Sequence, residues 1–350
     1  MFGISPLSPE YVRNTRRYVV ASSLALLMLA SPAAAGGARS LLDTCFTSDR
    51  LKARDGEKPP VKGIHDFDVP EPERALAPFR PVAADLRGAI RRVNIPGGRK
   101  LVALTLDLCE QPGEVAGYDG EIIDYLRANN VKATLFAGGK WMRSHAERTH
   151  QLMADPLFEI GNHSEAHRNL RLIAGEALGN EIAGPQRAYE AQRVKFAETQ
   201  CTKAHPEEIA KIPLRIGLFR FPFGACNPAA LAAVNDAGLL AIQWDLSTGD
   251  PSPGQSAAQI AEAMVRHSKS GSIIIAHANG RGYHTAEALP LAIPKLKAMG
   301  FEFVTVSELL AAGTPEIVQS CYDSRPGDTD KYDTFFSKKK AAPEPAVSGK

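Results

Sequence analysis

Gly161-Asn162-His163-Ser164-Glu165-Ala166-His167 follows a short apolar run at residues 157–160, and the same arrangement recurs along the chain. Upstream is Leu104-Thr105-Leu106-Asp107-Leu108-Cys109-Glu110. Downstream are Phe219-Arg220-Phe221-Pro222-Phe223-Gly224 and Ile273-Ile274-Ile275-Ala276-His277. Each apolar run ends in a carboxylate, a histidine pair, an arginine or a lone histidine. Reactive side chains placed repeatedly at strand ends are the layout of an α/β barrel site. An open doubly wound sheet gathers its site at one switch point instead.

Working outward, the pattern predicts strands over 101–106, 132–137, 157–160, 218–221, 239–245, 271–276 and 301–306. Helical spacing covers 119–129, 141–154, 176–197, 228–237, 256–268 and 285–299, with Pro228 in a first turn. About seven strands alternating with helices imply a parallel sheet with right-handed crossovers. The fold class is α/β, a closed or nearly closed barrel with an irregular N-terminal extension. That extension, residues 36–95, is Pro-rich and reads as an arm wrapping the domain, with 83–92 helical; a disordered linker is the competing reading. The barrel domain is expected over 96–312 and a polar tail over 313–350.

The 350 residues are 44% hydrophobic and 23% charged, with a formal net charge of +2. The charge is too small to argue for a nucleic-acid partner, and Lys338-Lys339-Lys340 reads as a solvated tail. Arg13, Arg16 and Arg17, the short apolar stretch 19–30 and Ala33-Ala34-Ala35 read as a signal peptide over 1–35. An uncleaved anchor is the rival reading. The expected protein is exported, periplasmic or secreted, with no membrane span after cleavage. Export permits disulfides. The cysteines are Cys45, Cys109, Cys201, Cys226 and Cys321, an odd number, so at least one lacks an intrachain partner. A Cys45–Cys321 bridge would staple the ends, and Cys109 and Cys226 both follow candidate site motifs.

His163 and His167, four residues apart behind Gly161-Asn162, face one point if the segment is helical or a tight turn. Neutral imidazoles there suit a divalent metal such as zinc. Asp107 at a buried strand end needs a partner. Arg220 is the expected counter-charge that keeps it ionised. Glu110 can reach the same cavity. His277 reads as a general acid or base, with Asp245 and Asp250 as the two candidates to hold it and raise its pKa. Tyr118, Trp141, Phe223, Trp244 and Tyr283 are candidates for stacking on sugar faces, and Asn279-Gly280-Arg281-Gly282 for a loop over the site.

These segments, in this order, resemble the polysaccharide deacetylase (NodB-homology) family of carbohydrate esterases. His163 to His167 matches H-S-x-x-H, Arg220-Phe221-Pro222-Phe223-Gly224 matches R-x-P-x-G, and Ile275-Ala276-His277 matches the late aliphatic-His motif. The resemblance implies a distorted (β/α) barrel hydrolysing acetyl groups from the sugars of a carbohydrate polymer with a divalent metal, zinc before cobalt or nickel. It implies Asp107 as general base, His163 and His167 as metal ligands, Arg220 orienting the base, the Phe223 N–H on the oxyanion and His277 as general acid. The first motif departs from T-F-D-D-G, reading Thr105-Leu106-Asp107-Leu108-Cys109. Leu108 stands where the family's third ligand is usual, so metal binding is expected to be weak or absent unless Glu110 substitutes. The fourth motif also departs, with Asp250-Pro251 in place of Asp-Trp. The alternative is a catalytically impaired glycan-binding protein on the same fold.

Overall fold

In the computed structural model, residues 40–63 and 79–334 are described. The signal-peptide reading, residues 64–78 of the extension and residues 335–350 of the tail lie outside the described residues. Ten strands form one sheet, numbered in chain order: β1 Ala89–Asn94, β2 Lys100–Leu108, β3 Ala133–Ala137, β4 Phe158–Asn162, β5 Leu218–Phe219, β6 Leu240–Ile242, β7 Leu246–Ser247, β8 Ser272–His277, β9 Phe301–Phe303 and β10 Thr314–Val318.

Seven strands, in the order β2-β3-β4-β5-β6-β1-β8, close into a barrel because β8 pairs back to β2. Every pairing in the ring is parallel except β1 with β8, a single antiparallel bridge between Arg92 and Ser272. The outlying β9 and β7 flank β2 and β8, and β10 runs antiparallel to β1.

Strand alternation separates two cores. Leu101 and Ala103 of β2 point inward among Ile90, Phe136, Ile242, Ile273 and Ile275. Val102, Leu104, Leu106 and Leu108 point outward to the helices, against residues such as Ile122, Leu126 and Leu289. This is the period of two that a pleated strand imposes. It fixes which residues of a strand end can reach the barrel mouth.

Several boundaries differ from the sequence reading. Residues 83–92 are not a helix. A short 3-10 turn, Ala84–Leu86, leads into barrel strand β1, whose Ala89, Ile90 and Val93 are buried. Arg91 and Arg92 interrupt the apolar pattern there because they serve the C-terminal segment. Arg91 donates to the Tyr322 and Asp323 carbonyls, and Arg92 pairs with Glu316. Residues 314–318 are sheet rather than tail, so the barrel assembly reaches beyond 96–312 on both sides. The 239–245 run holds only β6, Leu240–Ile242, and β7, Leu246–Ser247, follows it. The 141–154 helix breaks at His145, whose backbone leaves the helical region. The 301–306 run stops at Phe303, where a Thr305/Glu308 capping box starts the helix Val306–Ala311.

The described part of the extension is packed. Arg148, 2% exposed, donates to the carbonyls of Arg50, Leu51 and Lys52 and pairs with Glu57. Neither expected cysteine pairing is present. Cys45 bonds to Cys201 and Cys226 to Cys321, leaving Cys109 free and buried. The helix Leu41–Cys45 lies against the helix Gln200–Lys203, and β10 delivers Cys321 to the turn that carries Cys226. The Cys226–Cys321 bond joins segments 95 residues apart. Replacing both cysteines with alanine is expected to cost about 2–5 kcal/mol in urea unfolding. An unchanged midpoint would show that the strand pairing alone holds the segment.

Candidate active site

The histidine segment is a tight turn, not a helix, and local hydrogen bonds explain its shape. The Asn162 side chain caps the Ser164 N–H at 2.9 Å and is itself tied to the Ile182 carbonyl at 2.8 Å. Ser164 and His167 both take left-handed backbone, with φ of 63° and 51°. The Ser164 hydroxyl accepts from the His167 N–H at 3.1 Å. The Glu165 side chain enters a cleft that glycine makes possible. A Cβ at Gly184 would lie 2.3 Å from its Oε2. Arg143 then pairs with Glu165. The turn is clamped, and its two imidazoles meet edge to face with centroids 4.9 Å apart.

His163 is 1% exposed, and its Nδ1 lies 3.0 Å from the Arg220 carbonyl. A carbonyl only accepts, so Nδ1 carries the proton and Nε2 keeps a lone pair. Neither His163 Nε2 nor His167 Nδ1 has a hydrogen-bond partner among the described residues, though both atoms are buried. Burial pushes both imidazoles below the ordinary histidine value, His167 well below it. Neutral rings with unshared lone pairs are what a cation needs.

Asp107, 3% exposed, accepts from Arg220 Nη1 at 2.9 Å, and its other oxygen lies 3.4 Å from His163 Nε2. Burial pushes the carboxyl up, but His163, Arg220 and His277 outweigh it and hold the group below the ordinary aspartate value. Arg220 is fully enclosed. It donates to Thr105 Oγ1 at 2.7 Å and to the carbonyls of Ile242 and Gln243, and it lies 4.0 Å from the centre of the Phe136 ring.

Register places His277 directly opposite Asp107 on the neighbouring strand. The choice between Asp245 and Asp250 is settled by geometry. Asp250 accepts from His277 Nδ1 at 3.0 Å and from the His277 backbone N–H at 2.7 Å. Thr248 and Thr285 hydroxyls fix the same carboxylate. Asp245 instead accepts from Ser272 and the Ile273 N–H. Burial lowers the His277 pKa, yet the Asp250 charge and hydrogen bond, with Asp107, raise it overall.

Phe223 sits in left-handed backbone, φ 60°, and its ring meets His167 at 4.4 Å and Tyr332 at 5.1 Å. Of the other aromatic candidates, Tyr118, Trp141 and Trp244 are core residues, while Tyr283 is 46% exposed. Tyr332, in the region read as tail, is an aromatic neighbour of the site that the sequence reading missed.

The sequence reading of Glu110 is corrected. Glu110 is buried away from the histidines. It accepts from Ser144 Oγ at 2.6 Å and the Ala116 N–H at 3.0 Å, with Lys140 Nζ at 3.6 Å. It pins the loop after β2. Leu108 belongs to the outer core. Cys109, just past the end of β2, lies with His163 and His167, and the donor atoms of the three all fall within 4.8 Å of one another. Among the described residues this is the only such group, and its chemistry fits a divalent cation. The sequence carried one signal for it, since Cys109 stands two residues past Asp107 at the same strand end.

The Polysaccharide deacetylase family model matches residues 94–242. A peptidoglycan-N-acetylglucosamine deacetylase of Bacillus cereus is 30% identical over 222 residues, covering 62% of this chain and 91% of that protein. The chain belongs to the polysaccharide deacetylase family. Two crystal structures share the fold. A CE4 family pseudoenzyme from Bacillus anthracis matches with a TM-score of 0.52 and 23% identity, over 64% of this chain and 69% of that one. A peptidoglycan N-acetylglucosamine deacetylase matches with a TM-score of 0.52 and 22% identity, over 66% of this chain and 96% of that one. The family match ends before Asp250 and His277, whose pairing rests on the hydrogen bonds between them.

Glu110→Ala tests the correction. It strands the Ala116 N–H and the Ser144 hydroxyl and is expected to cost about 1–3 kcal/mol of stability, measured by denaturant unfolding. Metal stoichiometry and affinity are expected to stay unchanged in titration. Weakened binding by folded protein would restore Glu110 as a ligand.

Proposed function

We propose that this chain is a hydrolase that removes acetyl groups from the N-acetylated sugars of a polysaccharide or cell-wall glycan, cutting a non-peptide carbon–nitrogen bond. One observation carries the reading. Asp107 held by Arg220, unpartnered imidazole nitrogens on His163 and His167, and His277 held by Asp250 all converge at one barrel mouth. A divalent cation on the histidines, zinc before cobalt or nickel, would polarise the acetyl carbonyl and acidify a water.

In this reading Asp107, kept ionised by Arg220, takes the water's proton as the oxygen adds to the acetyl carbon. The Phe223 N–H donates to the carbonyl oxygen as negative charge develops there. His277, protonated and aimed by Asp250, gives its proton to the sugar nitrogen. The carbon–nitrogen bond breaks, leaving acetate and a free amine. The rival reading, a glycan-binding protein without turnover, drew its support from Leu108, which faces the helix layer rather than the site. We also read the chain as exported, periplasmic or secreted. The two disulfides support this, since such bonds persist in oxidising compartments. Among the described residues no helix is long and apolar enough to cross a membrane.

Acetate release from N-acetylglucosamine oligomers and peptidoglycan is the direct test, on chelated protein with zinc, cobalt or nickel restored. Metal-restored release is expected, and Asp107→Asn is expected to lower kcat by roughly 10²–10⁴-fold. No release by folded, reloaded protein would overturn the reading. The alkaline side of the pH profile tests His277. A general acid must be protonated, so the rate is expected to fall as pH rises through its raised pKa. Asp250→Asn removes the charge that raises it and leaves the burial that lowers it. The alkaline limb is therefore expected to move to lower pH in that variant. An unmoved limb would show that another group sets it.

A further inference from the structure

Glu110 leaves the cation cluster one ligand short of the three protein donors usual in a catalytic zinc site. We infer that Cys109 supplies this ligand as a thiolate, making a one-sulfur, two-imidazole centre, and that Asn279 is its positioning residue. The inference rests on the metal-dependent reading above and deepens it.

Three observations carry it. The Cys109 sulfur and the donor atoms of both histidines lie within 4.8 Å of one another. His163 Nε2 and His167 Nδ1 are buried without hydrogen-bond partners. A buried polar atom without a partner needs an explanation, and a common cation supplies one for both. Finally, Cys109 takes no part in either disulfide, although the other four cysteines are paired.

Asn279 fixes the sulfur. It is fully buried, and its Nδ2 lies 2.8 Å from both the Cys109 carbonyl and Sγ. Its Oδ1 accepts from the Arg281 N–H, which turns the amide so that Nδ2 faces the cysteine. An N–H donated to a ligating sulfur stabilises the thiolate and sets its direction, the usual task of a group behind a metal ligand. Binding replaces the thiol proton with the cation, and the proton leaves to solvent. A thiolate also biases the choice of ion toward zinc and cobalt and away from magnesium and manganese, which favour oxygen.

Cobalt(II) titration of the chelated, disulfide-intact protein under anaerobic conditions tests this without reference to turnover. The expected result is one cobalt per chain with an intense near-ultraviolet sulfur-to-cobalt charge-transfer band. Cys109→Ser should lose that band. Cys109→Asp should still bind cobalt, without the band, which separates loss of sulfur from loss of fold. Asn279→Ala should shift the band and weaken binding roughly 10–100-fold. No cobalt binding, a wild-type spectrum lacking the band, or the same band in Cys109→Ser would each overturn the proposal. The two readings fail separately. Charge transfer without acetate release keeps the thiolate centre and rejects the enzyme. Acetate release by protein whose cobalt form lacks the band keeps the enzyme and rejects Cys109.

Discussion

A buried ion pair, Asp107 with Arg220, organises the mouth of this barrel. Both charges are withdrawn from bulk solvent, since Arg220 is fully buried and Asp107 nearly so. Burying an ion costs several kcal/mol even after relaxation, so such a pair survives only when its remaining hydrogen bonds are also made. Arg220 meets that condition through Thr105, the Ile242 and Gln243 carbonyls and the Phe136 ring face. The pair is therefore poor evidence for stability and good evidence for position. It holds one carboxylate oxygen beside His163, whose ring is oriented by the carbonyl of Arg220 itself. Moving Arg220 would disturb the base and an imidazole together.

Polar groups around this pair fall into two sets. Arg220 and Asp250 are saturated with partners, and such groups define fixed geometry. His163 Nε2 and His167 Nδ1 are buried and unmet. The clamp on Glu165 and the Asn162 cap hold both rings rigidly, which removes most of the freedom they would otherwise lose on taking up a ligand. The contrast divides the residues that hold the site from those that engage something outside the chain.

Much of this was legible in the sequence because strand ends announce themselves. Asp107, His163, Arg220 and His277 each follow an apolar run, and the register sets His277 opposite Asp107 and brings His163 and Arg220 two residues further along at the same end of the barrel. What stayed hidden has physical causes. Strand β1 carries Arg91 and Arg92 in its middle, and their partners, Tyr322, Asp323 and Glu316, lie more than two hundred residues away. Strand β10 is partly exposed and contains Pro315, so it read as tail. Disulfide pairing depends on which helices and strands dock, which spacing does not encode. Asp245 and Asp250 could not be separated without knowing that Thr248 and Thr285 converge on one of them.

The reading of Leu108 as a lost ligand shows how one residue of register changes a conclusion. A pleated strand reverses its side chains at every step, and Leu108, the last residue of β2, faces outward, so a replacement donor must come from Asp107 or from the residues just past the strand end. Position 107 is committed, because its carboxylate is locked to Arg220. Glu110, beyond the strand, is engaged by Ser144 and Lys140 of the helix Gly139–Ser144. Only 109 remains, and Asn279 already holds its sulfur beside the histidines. Leu108 in turn packs with Leu104 and Leu106 against the helices, where a carboxylate would be buried among apolar side chains. The altered first motif thus keeps a donor beside the histidines and an apolar side chain on the outer face. That combination is what a working strand end requires, and it weighs against reading the change as decay.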